Sequence, residues 1–492
     1  MHAKLDRVVT FVLIASGLLV LASYLGLAIV HLSTLYDINQ TSGAWLSFAY
    51  YLDHGVLYPP PYMHGFYAGT RYMPLFFAIH AAIAHWTGEY LASGKLATLA
   101  SMIGIVVALY AIISARIRSP LLALALAAVP LATFVGHKGS LTIRSDVLPL
   151  AISLFALYLV DDKARPEAAP LSWRRLVGSA ILAGVAPLAK FTSFHALTAG
   201  FADLFFKDKK RAFAYAGVGF GTFVLGLFAV ESLSGGRFFE NFSTVAVGPG
   251  RNTKNLAFAL SQYAWYVRSD RGFLIILVLA FVALARMRKA KVDLYKIYFL
   301  LQLVISIGFF FDVGAEYNHL IDLCAASVIV LVDNLLPTAP AALRVFTLAA
   351  LGFVSIFGFF VHHLPAWTAP ERTIDPRQWL ERDLGLRDQT FLTQDPTVAV
   401  VLNQRPIVAD DFQYRVLVDK GVIPSDELPS RIRAHEFDRI VLLNPPDNDD
   451  PEDPDCSARE LGSQPAHDIR AGYALEKHVG KYYVYRPKEL TP

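Results

Sequence analysis

"STLYDINQTSGAWLSFAYYLDHG" occupies residues 33–55, directly after the first long apolar run of the chain at 8–30. The run follows Lys4 and Arg7, exceeds the apolar core of a signal peptide and gives way to a polar loop. It therefore reads as a retained signal-anchor span with a cytoplasmic N-terminus. The residues just beyond it are unusual: a carboxylate, Asp37, arrives at the membrane exit, and the chain then enters an aromatic-rich stretch. Trp45, Phe48, Ala49 and Leu52 fall at helical spacing, with Thr41 or Ser42 as N-cap. That predicts a short amphipathic helix lying in the bilayer interface beside Asp37.

The rest of the composition agrees with a membrane setting. Of 492 residues, 54% are hydrophobic and 17% charged, where a soluble enzyme carries about a quarter charged residues. Mean hydropathy is +0.43. Further candidate spans are 96–115, 120–136, 147–160, 176–189, 194–206, 212–233, 272–285, 297–312, 320–335 and 345–361. Two choices set the sidedness: whether 72–88 crosses, and whether 176–206 is one helix or a hairpin turning near Lys190. With the first on the surface and the second a hairpin, Lys and Arg gather on one side, as cytoplasmic loops require. The fold class expected is an α-helical polytopic membrane protein of about eleven transmembrane helices, with an external C-terminus. The net charge of +3 is small, and no nucleic acid is expected as a partner. Cys324 and Cys456 form neither a disulfide framework nor a metal spacing.

The division expected is a transmembrane catalytic domain at 1–363 and a small soluble α/β domain at 364–492. In the latter, "DPRQWLERDLG" (375–385) reads as a helix with Asp375 as N-cap and Pro376 at its first position. "TVAVVLN" (397–403), "DRIVLLNP" (438–445) and "YALEKHVGKYYVYR" (473–486) read as strands, the last a hairpin around Gly480. The acidic, proline-rich 445–455 reads as a solvated loop, and its "DND" at 447–449 as part of that loop.

On the outer face, the first external loop, 32–95, contains a stiff "LYPPPY" link (57–62) and a surface or re-entrant helix at 72–88. "GHKGSLTIRSD" (136–146) supplies His137, Lys138, Arg144 and Asp146, and Lys190 tops the hairpin. "DVGAEYNH" (312–319) supplies Glu316, Tyr317, Asn318 and His319, and "VGPGRNTKN" (247–255) adds Arg251 and Lys254. A charge at mid-bilayer costs ~2.5–3.5 kcal/mol. Ionisable groups collected at outer span ends thus favour one external reaction site over a polar pathway through the membrane.

An external site meets no ATP or nucleotide sugar, and no Walker loop or dinucleotide fingerprint is present. Its activated donor must come attached to lipid. A polyprenyl-phosphate sugar needs cations for the phosphate and a carboxylate to deprotonate an acceptor hydroxyl. Asp37 is the candidate base, and Arg144, Lys138, Lys190 and Arg71 are candidate phosphate partners. Asp146, His137, Tyr72, Glu316, Tyr317, Asn318 and His319 are candidates for substrate binding or support. Plainer readings stand beside these: Asp37 as the cap of a surface turn, Asp146 as an N-cap or a partner of Arg144, Lys190 as a snorkelling hairpin tip. The histidines lack metal-ligand spacing and read as wetted surface groups.

At these residues the chain resembles the GT-C glycosyltransferases, especially relatives of the protein mannosyltransferases and aminoarabinose transferases. Asp37 just past the first span resembles their catalytic aspartate. "RYMPLFFAIHAAIAHWTGEYLASGKLATLAS" (71–101) resembles their stretch of paired prolines, surface helix, Gly and basic residue before the second span. "IRSD" resembles their Arg-Pro-Asp, "LAKFTSF" their Thr/Lys turn and "AEYNHLIDL" their Tyr-Asn element. Ile38 stands where mannosyltransferase-like members often have a second acid, Met73 replaces a proline, and Ser145 replaces the proline of Arg-Pro-Asp.

The resemblance implies an inverting transferase that uses a lipid-phosphate sugar at the external membrane face. Its partners would be membrane lipids, a polyprenyl-phosphate sugar, and a glycan, glycolipid or protein acceptor. A divalent cation is left open as a cofactor. The resemblance and the lack of ER retrieval signals point to a bacterial inner membrane, with the C-terminal domain periplasmic. The alternatives from other classes are a transporter or flippase of a lipid-linked glycan and a non-catalytic glycan-binding membrane partner. The first would call for repeated halves, discontinuous helices and ionisable groups near midplane, none of which is read from the sequence.

Overall fold

A computed structural model describes residues 2–165, 170–246, 254–286, 293–311, 315–446 and 461–488. Arg251, the 447–449 triplet and Cys456 lie outside the described residues. Within the described residues each stretch expected to span is largely helical, but the helices differ in length. Among the described residues five are long and apolar enough to cross a bilayer: Lys4–Val30, Tyr90–Ser114, Lys209–Leu233, Tyr317–Leu335 and Ala341–Trp367. The expected straight span at 120–136 is instead a pair, Pro120–Ala132 and Phe134–Leu141, bent by 81°. The bend has a local cause. Pro130 sits in a 3₁₀ turn, and Thr133 leaves the helix with extended backbone (φ −85°, ψ 155°). The Thr133 hydroxyl donates to the Pro130 carbonyl (2.7 Å) and accepts from Gly136 N (3.0 Å), ending one helix and capping the next.

Large apolar side chains stand on the outside of these helices, among them Phe11, Leu225, Phe228, Val304 and Phe346. Water does not tolerate such a belt and hydrocarbon does. The chain is an integral membrane protein.

Contacts divide it into two compact units whose segments alternate along the sequence. The first comprises 1–31, 98–228 and 249–372, and the second 32–97, 229–248 and 373–492. The expected boundary at 363/364 thus falls inside the last segment of the first unit.

Within the first unit, His2–Val30 packs along Ala341–Gly358 and Pro120–Ala128, and Val147–Val160 packs along Trp173–Ala189. Lipid tails give no hydrophobic force between helices, so close approach comes from small residues. A Cβ on Gly184 would run into the backbone carbonyl of Gly219, which is how helices 173–189 and 209–233 reach contact. Helix 173–189 ends at Ala189, and the next begins at His195, so the break expected near Lys190 is present.

The second unit has a mixed sheet as its centre. Its strands are β3 (Phe391–Thr393), β4 (Arg439–Leu442), β5 (Tyr473–Val479) and β6 (Tyr482–Pro487), in the order β3-β4-β6-β5. β1 (Tyr62–Met63) and β2 (Phe66–Tyr67) form a separate small hairpin. β3 runs parallel to β4, and the other pairs are antiparallel. Alternation along β4 splits the core: Ile440 and Leu442 join one apolar cluster, and Val441 joins the other. Gly480 turns the β5–β6 hairpin at φ +60°, as expected. The helix Pro376–Arg382 carries its expected cap, Asp375 accepting from Gln378 N at 2.8 Å.

Two local expectations are corrected here. "TVAVVLN" is not a strand: Pro396–Val401 is helical because Asp395 caps it and Pro396 starts it, a local signal stronger than β-branched composition. The helix after Asp37 runs Gln40–Asp53 with Asn39, not Thr41 or Ser42, as N-cap. It is not laid open on an interface either. Ser42 to Tyr51 are all buried, and the helix packs on helices 74–87 and 396–401. Trp86, near the end of helix 74–87, is by contrast 88% exposed.

Candidate functional site

The first unit gathers most of the predicted polar residues into one cluster. Arg144 lies between helices 134–141 and 147–160, and its Nη2 donates to Glu316 Oε2 at 2.6 Å. Its guanidinium lies 5.2 Å from the Tyr317 ring centre. Although Arg144 is only 2% exposed, its Nε finds no hydrogen-bond partner among the described residues. A buried N–H left in that state invites an acceptor from outside the chain. Beside it, Lys190 Nζ donates to Asp146 Oδ1 (2.5 Å) and to His319 Nδ1 (3.2 Å). An ammonium can only donate, so His319 Nδ1 is the accepting side of this contact. Phe309 stacks on His319 (4.2 Å) and lies under Lys190 (5.1 Å).

Asp146 stands at the N-cap position of helix 147–160 without a side-chain capping bond, and its carboxylate meets Lys190, with Arg144 acting on it through charge. Burial alone would raise the Asp146 carboxyl; Lys190 and Arg144 outweigh burial and hold it well below the usual carboxylate range. Lys190 therefore does more than mark a hairpin tip. Tyr317, Asn318 and His319 share one 3₁₀ turn, Tyr317–Leu320.

His137 and Lys138 sit on the short helix 134–141 rather than in an open turn. His137 is buried, with its ring 4.8 Å from that of His363 and 5.9 Å from that of His362, so the reading of wetted surface histidines is corrected at this position. Phe134 links this group to Tyr317, with centroids 5.1 Å apart. Among the described residues no three His, Cys, Asp or Glu side chains are arranged to hold a metal ion.

Asp37, Arg71 and Tyr72 belong to the second unit. Asp37 has φ +57°, a left-handed conformation that costs a non-glycine residue energy and persists only when its surroundings enforce it. Those surroundings are explicit. Lys95 Nζ, buried, donates to the carbonyls of Thr34 (2.8 Å) and Tyr36 (2.9 Å). Lys481 Nζ donates to the carbonyl of Ile38 at 2.9 Å and to Asp395 Oδ2 at 2.9 Å. Asp395 is fully buried and also accepts from Tyr482 Oη (2.7 Å) and Thr397 N (3.0 Å). Burial pushes its carboxyl up, but Lys481 and these bonds hold it below the ordinary range. Arg71 faces the Phe412 ring at 5.3 Å, near Asp410, and Tyr72 packs on Trp45 with centroids 4.5 Å apart.

Several of these residues were absent from the sequence-based expectation. His195 and Asp322 each carried a signal, an ionisable group inside an apolar run, and Lys95 entered only as the basic residue before the second span in the resemblance over 71–101. His195 Nε2 lies 3.1 Å from Asp322 Oδ1, close enough for attraction but not aligned for a hydrogen bond. Lys481 and Asp395 carried none, because their role depends on contact with a loop hundreds of residues away.

No known family profile and no curated protein sequence matches the chain. Solved structures do. Apo ArnT from Cupriavidus metallidurans aligns with a TM-score of 0.64 at 13% identity, over 95% of this chain and 97% of that one. The same protein bound to undecaprenyl phosphate aligns at 0.58 and 13%, over 96% and 98%. The apo oligosaccharyltransferase of Archaeoglobus fulgidus aligns at 0.56 and 10%, over 96% of this chain and 75% of that one. Both proteins are GT-C membrane glycosyltransferases. This chain has the GT-C fold. The GT-C architecture accounts for a chain whose membrane helices and small C-terminal sheet align together over nearly its whole length. It also agrees with the expectation drawn from Asp37, "IRSD" and "AEYNHLIDL".

Proposed function

We propose that this GT-C chain is a glycosyltransferase that moves a single sugar from a polyprenyl phosphate to a hydroxyl of a glycan, glycolipid or protein. The reaction takes place at the external face of a bacterial inner membrane, with the C-terminal residues periplasmic. The observation that carries this reading is Arg144, a buried guanidinium with an unmet Nε–H, beside a second cation, Lys190. A phosphate oxygen is the acceptor such a pair suits, since arginine offers a fixed fork and both cations counter growing negative charge. Glu316, which holds Arg144 at rest, is 46% exposed and is the partner that can yield to phosphate. A related fold crystallised with undecaprenyl phosphate supports the same ligand class.

Asp37 is the base. The acceptor oxygen attacks the anomeric carbon and loses its proton to the Asp37 carboxylate. The bond from that carbon to the phosphate oxygen breaks, and its electron pair leaves with polyprenyl phosphate. A single displacement of this kind inverts the anomeric centre. Arg144 and Lys190, with Lys138 and Arg71 as further cations, stabilise the departing phosphate. Asp146, Glu316 and His319 orient these cations, and Tyr317, Tyr72, His137 and Asn318 line the substrates.

The test is transfer by purified protein from a panel of undecaprenyl-phosphate sugars, with Asp37→Asn alongside. The variant is expected to keep its thermal stabilisation by undecaprenyl phosphate and to lose transfer by at least about 100-fold. Transfer retained in the variant removes Asp37 from its role, and no transfer by the wild type from any donor removes the reading itself.

A further inference from the structure

The segment carrying Asp37 is held at three carbonyls: Thr34 and Tyr36 by Lys95, and Ile38 by Lys481. Lys95 comes from the helix that follows the loop closely in sequence, whereas Lys481 comes from the β5–β6 turn near the far end of the chain. Lys481 does not swing freely. Its ammonium is pinned by Asp395, which is itself fixed by Tyr482 and Thr397, while its own side chain remains 38% exposed. The result is a relay of contacts: Tyr482 and Thr397 set Asp395, Asp395 sets Lys481, and Lys481 sets the Ile38 carbonyl. Asp37 lies in a left-handed conformation immediately before that residue.

From this geometry we infer that Lys481, anchored by Asp395, is a positioning residue for Asp37, through which the C-terminal sheet controls the placement of the base. The inference rests on the proposed transferase reading for its kinetic consequence but not for its structural one. Lys481 makes its bonds to the Ile38 carbonyl and to Asp395. It fixes the backbone on which Asp37 is mounted, and a base displaced by about 1 Å can lose about 100-fold in rate.

The experiment uses the full chain purified in detergent, as wild type, Lys481→Met, Lys481→Arg and Asp395→Asn. Lys481→Met is expected to lower kcat by about 100-fold with KM for an undecaprenyl-phosphate sugar within about twofold. Thermal stabilisation by undecaprenyl phosphate alone should be unchanged, because ground-state binding is untouched. Hydrogen exchange of the amides at 36–39 should quicken in Lys481→Met and in Asp395→Asn. Lys481→Arg, which again offers two donors to the Ile38 carbonyl and Asp395, should restore both rate and protection.

Unchanged exchange at 36–39 in Lys481→Met overturns the inference, as does kcat within about twofold of wild type, a change in KM alone, or failure of Lys481→Arg to rescue. If the wild type transfers no sugar at all, the transferase reading fails. The exchange measurement still decides by itself whether Lys481 holds the loop.

Discussion

Lys190 Nζ sits 2.5 Å from Asp146 Oδ1, joining the end of helix 173–189 to the start of helix 147–160. Both side chains are largely buried, so either charge left alone is costly. Asp146→Asn or Lys190→Met should each destabilise the protein by about 3 kcal/mol, read as a lowered unfolding midpoint in detergent. The double change Asp146→Leu with Lys190→Met should recover most of that stability, since an apolar pair removes both desolvation costs. It should not recover stabilisation by undecaprenyl phosphate, and that separation distinguishes a structural ion pair from a phosphate-binding one.

Arg144→Lys keeps the charge but loses the planar fork. Lysine cannot bond Glu316, lie against Tyr317 and present a further fixed donor together. Affinity for undecaprenyl phosphate, measured by titrated thermal shift, should fall by about tenfold or more, the loss of one charged hydrogen bond. Equal affinity in the two proteins would show that Arg144 does not meet the phosphate.

Gly43 lies on helix 40–53 where it crosses the Asp395 cap. A Cβ there would stand 2.7 Å from Asp395 Oδ1, 2.9 Å from Pro396 Cδ and 3.0 Å from Thr397 Oγ1. Alanine is the better helix former by about 1 kcal/mol, yet overpacking of this kind costs about 1–3 kcal/mol. Gly43→Ala should therefore lower the melting temperature. A rise would mean the two helices have slack at this crossing.

Burial raises the Asp410 carboxyl from 3.8 to about 6, against the hydrogen bonds from Gln413 N and Phe412 N and the charge of Arg71. A carboxyl raised on folding stabilises the folded state fully below its unfolded value, and that contribution is lost as pH climbs through the folded one. The window is therefore roughly pH 4 to 6, with an amplitude on the order of 3 kcal/mol. Asp410→Asn keeps an acceptable helix cap and should remove this component. The difference in melting temperature between variant and wild type should favour the variant increasingly across that window and level off above it. A constant difference from pH 4 to 7 would show that Asp410 titrates as an ordinary carboxyl.

Much of this protein was decided by sequence alone. A helix in lipid must satisfy its backbone internally, so each apolar run declares a helix without reference to the rest of the chain. Local caps did the same for Pro376–Arg382 at Asp375 and for the β5–β6 turn at Gly480. Asp37, Arg144, Lys190 and the Glu316–His319 turn were legible because ionisable groups at span ends need a reason to be there. Tertiary structure decided the rest. The burial of helix 40–53, the Arg144–Glu316 and Lys190–Asp146 bonds and the grip of Lys481 on Ile38 all depend on distant segments meeting. Hydropathy and capping act over a few residues. A side chain's partner is set by which segments the packed chain brings within about 3 Å, and no local pattern carries that distance.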